Sequence, residues 1–480
     1  MNTITLIALL VLLSPGQSHA SPGSAAREMA AAPAMAGASW GLAVVDAASG
    51  RELLARGADL NLVPASTMKL PVTAAALEYL GPEKRFLTRL VSAEKPAGGV
   101  VGGDLYLVGG GDPSPGSEII RNAPALPAVY SGWAEKLRAA GISSVRGGVV
   151  ADESLFDNFQ PGSWSWEDIG NYYAARPSAL TVNDNTYRIY FRPGTAPGEK
   201  AEVVRTEPPM PGLSFENLML TGPEGSGDNG YVFAFPGQDS AVLRGTIPQG
   251  PVDFAIKAAL PDPALFAARA LTESLSAAGI KLSGKPARGK APPAAYELAS
   301  STSAPLSEIV RALNKRSFNL YAELLLRHLG LEKGAGGTPE EGRKAVAGFL
   351  SAEGAPAGAF SVADGSGLSR NNLSRAGDFA RLLASVYSKP WFPVFYESLP
   401  FPGDPDAGGA MRRLGVGTEL EGALRLKTGS LRGVRGYAGY LKTKKGKTLA
   451  FCSIVNNYTA SGAAIDELHR DLLLELYKKY

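Results

Sequence analysis

The sequence predicts an α/β domain interrupted by a long β-rich insertion, on three observations. Hairpin patterns stand near both ends, at 39–46 with 51–56 and at 436–443 with 448–456, and helical patterns lie between them. From 88 to 299 the texture changes to short β-like runs separated by Gly and Pro. At 480 residues the chain also exceeds the size at which a single core stops growing, so two or three domains are expected.

Taken in chain order, the first segment reads as an export signal. An apolar run over 4–13 leads to Ser14-Pro15-Gly16 and a small-x-small site, Ser18-His19-Ala20. That run is about ten residues, short of the roughly twenty that span a bilayer. Cleavage near Ala20 would leave a periplasmic or otherwise exported chain with no transmembrane span. Residues 21–38, rich in Ala, Ser, Pro and Gly, read as a flexible leader with at most a short helix. After the first hairpin, Asn61 to Ser66 leads into a helical run over 68–80, which puts Ser66 at a helix start. Pro71 falls early in that helix and is expected to cost a hydrogen bond or a bend.

Inside the insertion, 186–191 and 231–235 read as strands. Gly109-Gly110-Gly111-Asp112-Pro113 reads as a turn, because it lacks the Gly-Lys-Ser/Thr ending of a phosphate loop. Helices are expected again at 306–313, 319–329, 338–353 and 374–386. A final helix over 462–477 carries Ile465, Leu468, Leu472 and Leu476 at helical spacing, which suits packing on the sheet. The division is therefore a signal peptide at 1–20, a split domain at 21–87 plus 300–480, and an insertion at 88–299 with two subdomains.

Composition removes several function classes. A net charge of +3 gives no basis for nucleic-acid binding, which needs a concentrated basic face. Three histidines and one cysteine make a zinc cluster hard to assemble, and lone Cys452 excludes an internal disulfide framework. His19 leaves with the signal, while His328 and His469 lie in stretches read as amphipathic helices, where packing or surface roles are ordinary. If the chain is a hydrolase, its base is not expected to be histidine. Neither a metal nor a cofactor is called for.

Three motifs supply another route: Ser66-Thr67-Met68-Lys69, Ser317-Phe318-Asn319 and Lys427-Thr428-Gly429-Ser430. A serine hydroxyl needs a base, and a lysine amine can serve only if its pKa falls well below about 10.4. One helical turn puts Lys69 beside Ser66, at a helix N-terminus that favours developing negative charge. Ser92-Ala93-Glu94-Lys95 has the same spacing but runs into Pro96-Ala97-Gly98-Gly99, a loop. Lys427, placed on or entering a strand ahead of the last hairpin, would lower the Lys69 pKa by like-charge repulsion. Thr428 and Ser430 offer hydroxyls to a carboxylate, and Gly429 would let substrate approach the backbone. Ser317 and Asn319 could supply a relay hydroxyl and an amide, although a stray Ser-x-Asn is ordinarily a cap or turn.

With these motifs the sequence resembles the serine D-alanyl-D-alanine carboxypeptidases and endopeptidases with a long insertion, the class C low-molecular-mass penicillin-binding proteins. The resemblance runs from about Ser39 to the C-terminus. Its supports include Pro64 to Leu70, Gly110-Gly111-Asp112-Pro113, Pro177-Ser178-Ala179-Leu180, Asp364 to Arg370 and Lys427 to Leu431, with 251 residues from Ser66 to Ser317. It implies a penicillin-binding, β-lactamase-like transpeptidase domain acting on peptidoglycan stem peptides and acylated by β-lactam antibiotics. It also implies roles. Ser66 would be the nucleophile, Lys69 the base and Ser317 the proton relay. Asn319 would hold a substrate amide, and Lys427, Thr428 and Ser430 the terminal carboxylate. The N–H groups of Ser66 and Ser430 would form the oxyanion hole.

Two positions depart from the family pattern: Phe318 stands where Asp is frequent, and Arg432 where a neutral polar residue is frequent. Asp364-Gly365-Ser366-Gly367 is shared with the family, but on chemistry alone it is a tight turn. Arg370 and Asp152 are further candidates for contacting a stem-peptide side chain, an acid suiting a diaminopimelate ammonium. Two other readings stay open, a β-lactamase using the same residues and a cell-wall binding protein with a vestigial site. Homodimerisation is left open too.

Overall fold

The computed structural model describes residues 24–250 and 253–480, so the expected signal peptide lies outside the described residues. The two hairpins meet in one five-stranded antiparallel sheet, in spatial order Leu424–Leu431, Val434–Lys442, Thr448–Asn456, Ser39–Asp46 and Glu52–Arg56. The first and last hairpins join through the register Ser39↔Asn456 to Asp46↔Leu449. Side chains alternate across a strand, and this sheet is covered on both faces, so its central strands are buried along almost their whole length. Ala43, Val45, Ala450 and Cys452 face one core, shared with the helix Ala376–Val386; Leu42, Val44, Phe451 and Val455 face the other, shared with the final helix Gly462–Lys479.

The leader differs from expectation. Ser24–Ala31 is a helix that packs against the final helix, with Ala26 and Met29 fully buried. Its small apolar side chains fit close against a neighbour, so the Ala-rich composition marks a docked helix. Among the described residues, no helix is long and apolar enough to cross a membrane.

The insertion leaves and returns through paired strands, Leu87–Ser92 and Tyr296–Thr302, which close its neck. They belong to a second five-stranded sheet. Two helices absent from the sequence reading, Leu126–Ala139 and Pro263–Ala277, pack on it. Beyond it, two three-stranded sheets between Thr186 and Ala259 enclose a smaller core that includes Ile189, Phe191, Met219 and Leu243. Ser92 ends a strand, its Oγ donating to Glu94 O at 2.6 Å. The glycine run is a buried crossing: a Cβ at Gly110 would lie 1.9 Å from Leu87 O.

The helix Asn319–Lys333 joins insertion to body. Every residue from Asn319 to Gly330 is buried, so the expected amphipathic pattern is absent. One side packs on the helices Lys69–Leu80 and Pro339–Ala352. The other side meets the insertion: Arg327 donates to Asp157 O and Phe159 O, and Tyr321 Oη donates to Asp184 Oδ1. His328, stacked on Phe86 at 3.7 Å, contacts Gly111 O through Nε2. His469 lies between Ile465 O and Ser453 Oγ. Burial lowers both imidazoles to about 4, leaving them neutral packing groups.

Candidate active site

The nucleophile segment is a short 3-10 turn, Ala65–Met68, that passes into the α-helix Lys69–Leu80. Pro71 is the third residue of that α-helix, within the first turn where proline is tolerated. Gly429 and Gly436 face each other across the sheet edge and seat this turn. A Cβ on Gly429 would stand 2.5 Å from Pro64 O, and one on Gly436 2.9 Å from the same oxygen. Gly429 was expected to admit substrate; here it admits the nucleophile turn itself. Gly367, at φ +80°, closes on the turn from another side, and a Cβ there would lie 1.9 Å from Ala65 O.

Lys69 is completely buried. Its Nζ lies 2.9 Å from Ser66 Oγ, 2.6 Å from Asn319 Oδ1 and 2.5 Å from Ser366 O. Three oxygens match the three donors of an ammonium; once the amine loses its proton, two N–H groups can stay on the two carbonyl oxygens and leave the lone pair to the serine hydroxyl. Burial lowers the Lys69 pKa to about 7, against the opposing pull of the Asp364 and Glu323 carboxylates. Lys427, also buried, was expected to supply this shift. The structure gives desolvation the larger part for both lysines, and the repulsion registers on Lys427, which burial and then Lys69 hold well below an ordinary lysine.

The acids that oppose the shift build the floor under Ser66. Asp364 accepts from Gly367 N, Ser369 N, Asn372 Nδ2 and Trp164 Nε1, at 2.7–2.8 Å. Glu323 Oε1 accepts from Gly365 N at 3.0 Å and Ser366 N at 2.9 Å, and so fixes the carbonyl that holds Lys69. Burial raises Glu323 to about 7, with Asp364 adding and Arg327 opposing. Sequence reading left the Asp364 segment as a turn and missed Glu323 and Trp164. A signal existed for Glu323, which stands four residues after Asn319 and thus on the same helix face.

Asn319 was expected to face substrate. Each end of its amide makes one hydrogen bond to the protein, Oδ1 to Lys69 and Nδ2 to Tyr173 O at 2.7 Å. Ser317 sits between two helices at φ 57°, half-buried, and among the described residues its hydroxyl has no hydrogen-bond partner. Phe318 packs edge-on against Tyr321 at 5.1 Å, which accounts for an aromatic where the family often carries an acid. Lys427 Nζ donates to Thr428 O at 2.8 Å, on the edge strand Leu424–Leu431. Leu426 N donates to Pro400 O away from the sheet. With a period of two, the N–H groups of Thr428 and Ser430 lie on that same open edge.

Asp152 has another task. It ends a strand of the insertion, buried, with Ser154 N on Oδ1 and Ala291 N on Oδ2. The acid near Arg370 is Asp168: Tyr173 Oη donates to it at 3.0 Å, and burial raises its pKa while Arg370 opposes. Arg370 is exposed and donates to Arg432 O at 3.2 Å.

The D-Ala-D-Ala carboxypeptidase 3 (S13) family matches residues 24–473 of this chain. The chain belongs to that family. A D-alanyl-D-alanine carboxypeptidase of Actinomadura sp. is 34% identical to this S13 carboxypeptidase over 438 residues, covering 88% of this chain and 79% of its own. The D-alanyl-D-alanine carboxypeptidase DacB of Haemophilus influenzae is 26% identical over 430 residues, covering 87% and 86%. Among solved structures, penicillin binding protein 4 (dacB) of Haemophilus influenzae superposes with a TM-score of 0.78 over 92% of this chain and 97% of its own, at 24% identity. The fold is thus that of a penicillin-binding protein with an inserted region, and the S13 enzyme is a serine-type D-alanyl-D-alanine carboxypeptidase.

Proposed function

We propose that Ser66 attacks the carbonyl carbon between two D-alanines of a peptidoglycan stem peptide, with Lys69 as the base. The 2.9 Å approach of Lys69 Nζ to Ser66 Oγ carries this reading, since a buried amine with a depressed pKa can take the hydroxyl proton near neutral pH. The oxyanion accepts from the N–H groups of Ser66 and Ser430, the second reached from the open strand edge. The terminal carboxylate meets Lys427 and the hydroxyls of Thr428 and Ser430. As the C–N bond breaks, the proton passes from Lys69 through Ser317 Oγ to the departing D-alanine nitrogen. Water then hydrolyses the ester and restores Ser66.

Penicillins, which mimic the dipeptide, form an acyl-enzyme on the same serine. A β-lactamase would need a carboxylate free to activate water. Asp364 and Glu323, the acids beneath Lys69, are both fully buried and hold backbone amides, Glu323 through Oε1, which argues against that reading. For substrate side chains ending in both an ammonium and a carboxylate, Asp168 and Arg370 replace Asp152 as the matching pair. The same chemistry on a cross-link would make the enzyme an endopeptidase. The division into 21–87 plus 300–480 and 88–299, export through the first twenty residues and periplasmic action belong to this proposal.

The test is labelling by a fluorescent penicillin. Ser66→Ala should abolish it and Ser92→Ala should leave it intact, while mass spectrometry of digested muropeptides should find D-alanine released by the unmodified enzyme alone. Labelling that survives Ser66→Ala would overturn the assignment.

A further inference from the structure

Along the chain, Tyr231, Phe233 and Phe235 alternate with Val232 and Ala234. A half-buried strand normally turns its apolar residues to the core, and Val232 does so with no exposure. The aromatics take the other face: Tyr231 is 43% exposed and Phe235 65%. Trp166, 72% exposed, lies against Phe233 with ring centroids 4.9 Å apart, and Tyr231 stacks on Phe233 at 6.2 Å. Single exposed apolar residues are ordinary, but contiguous rings are a surface built to meet something.

This strip is continuous with the catalytic floor. Trp166 belongs to the segment running from Trp164, whose indole donates to Asp364, to Tyr173, whose carbonyl accepts from Asn319. Midway, Asn171 Oδ1 accepts from Val232 N, and a Cβ on Gly170 would lie 2.0 Å from Val232 O, so strand and segment are locked together. Glu167, Asp168 and Asp228 are near the rings in sequence and Arg244 stands opposite Tyr231, so acids outnumber bases around the strip, which disfavours an anionic partner such as a phosphate or an acidic lipid.

We propose that this strip binds the acetylated amino-sugar strand to which the stem peptide is attached, stacking neutral sugar faces on Trp166, Phe233 and Tyr231. Sugar C–H groups carry partial positive charge and complement the negative face of an aromatic ring. The inference rests on the proposed stem-peptide substrate: the segment that carries Trp166 also contacts Asn319, which holds Lys69, so a sugar on the strip and a peptide at Ser66 would border one segment.

The experiment compares two substrates with the same peptide, one free and one joined to its disaccharide. Trp166→Ala and Tyr231→Ala should each lower kcat/KM for the glycan-linked substrate about three- to tenfold, leave the free peptide unchanged and spare penicillin acylation. A peptide-free N-acetylglucosamine oligosaccharide should perturb tryptophan fluorescence in the unmodified protein and not in Trp166→Ala. Equal kinetics on the two substrates, or equal losses on both, would overturn the assignment. So would sedimentation showing that the substitutions dissolve a dimer while the glycan preference persists. Failure of the unmodified protein to label at Ser66 would instead overturn the proposed chemistry.

Discussion

In the proposed mechanism Lys69 serves as the base because it is buried and held against Ser66 Oγ. Free-amine population rises with pH, so penicillin acylation should climb through an apparent pKa near 7. Lys69→Arg should lose about two or more decades of acylation rate, since a guanidinium stays protonated; stopped-flow acylation would measure it. Glu323 tunes that base from one layer below. Glu323→Gln keeps an oxygen for Gly365 N and Ser366 N but deletes a carboxyl group, itself only partly ionised near pH 7, whose charge raises Lys69. The lysine pKa then falls, and the acid limb of the acylation profile should move to lower pH. The other charges facing the pair, Asp364, Arg327 and Lys427, remain in place. An unmoved or raised limb would remove Glu323 from this role. The serine and lysine were legible from spacing and from the apolar helix behind them. The carboxylates were not: Glu323 holds backbone amides 42 and 43 positions away, and Asp364, besides closing its own turn through Gly367 N and Ser369 N, takes the Trp164 indole from 200 positions away.

Among elements, those with strong periodicity were legible. The end hairpins and the helices beginning near 68, 306, 319 and 462 stand within a few residues of their expected bounds. The two insertion helices lie in a stretch whose Gly and Pro content reads as β-rich, and both carry proline in their first positions, Pro127 and Pro263. Proline in the first helical positions starts a helix, and Asp262 caps the second one by accepting from Leu265 N at 3.0 Å. Glycine has two meanings as well. Gly429→Ala would press a Cβ against Pro64 O and shift the nucleophile turn, so penicillin acylation should fall by about two decades, as a displacement of roughly 1 Å at a reacting group implies. Gly132→Ala meets open space inside a helix and should leave acylation unchanged while raising stability by up to about 1 kcal/mol, read by urea denaturation. Equal effects of the two substitutions would show that seating the turn does not require Gly429.

At the scale of the whole molecule, the insertion is bolted to the catalytic body through the helix Asn319–Lys333, and the bolts are polar. Composition cannot reveal them, since they pair residues more than a hundred positions apart. Tyr321 Oη reaches Asp184 Oδ1, and Glu118 N donates to Asp184 Oδ2. Burial raises the Asp184 pKa, while the Tyr321 hydrogen bond pulls it back down by favouring the ionised form. A carboxyl group with a raised folded pKa binds its proton more tightly in the folded state; the stability this gives is present below the unfolded value and lost as pH rises through the folded one. Tyr321→Phe removes the hydroxyl donor and raises the Asp184 pKa further, so its cost should depend on pH. As pH falls and Asp184 takes up its proton, the gap between variant and parent should narrow toward the part left by the lost contact between Tyr321 Oη and Ser117 Oγ. Toward pH 8 the gap should widen to about 1–3 kcal/mol, the penalty for an ionised oxygen deprived of its donor. Penicillin acylation per folded molecule should change little, because Lys69, Asn319 and Ser366 keep their contacts. A stability gap that stays constant from pH 4 to 8 would mean that Tyr321 acts through packing and its bond to Ser117 Oγ, and that the hydrogen bond to Asp184 does not hold the insertion to the body.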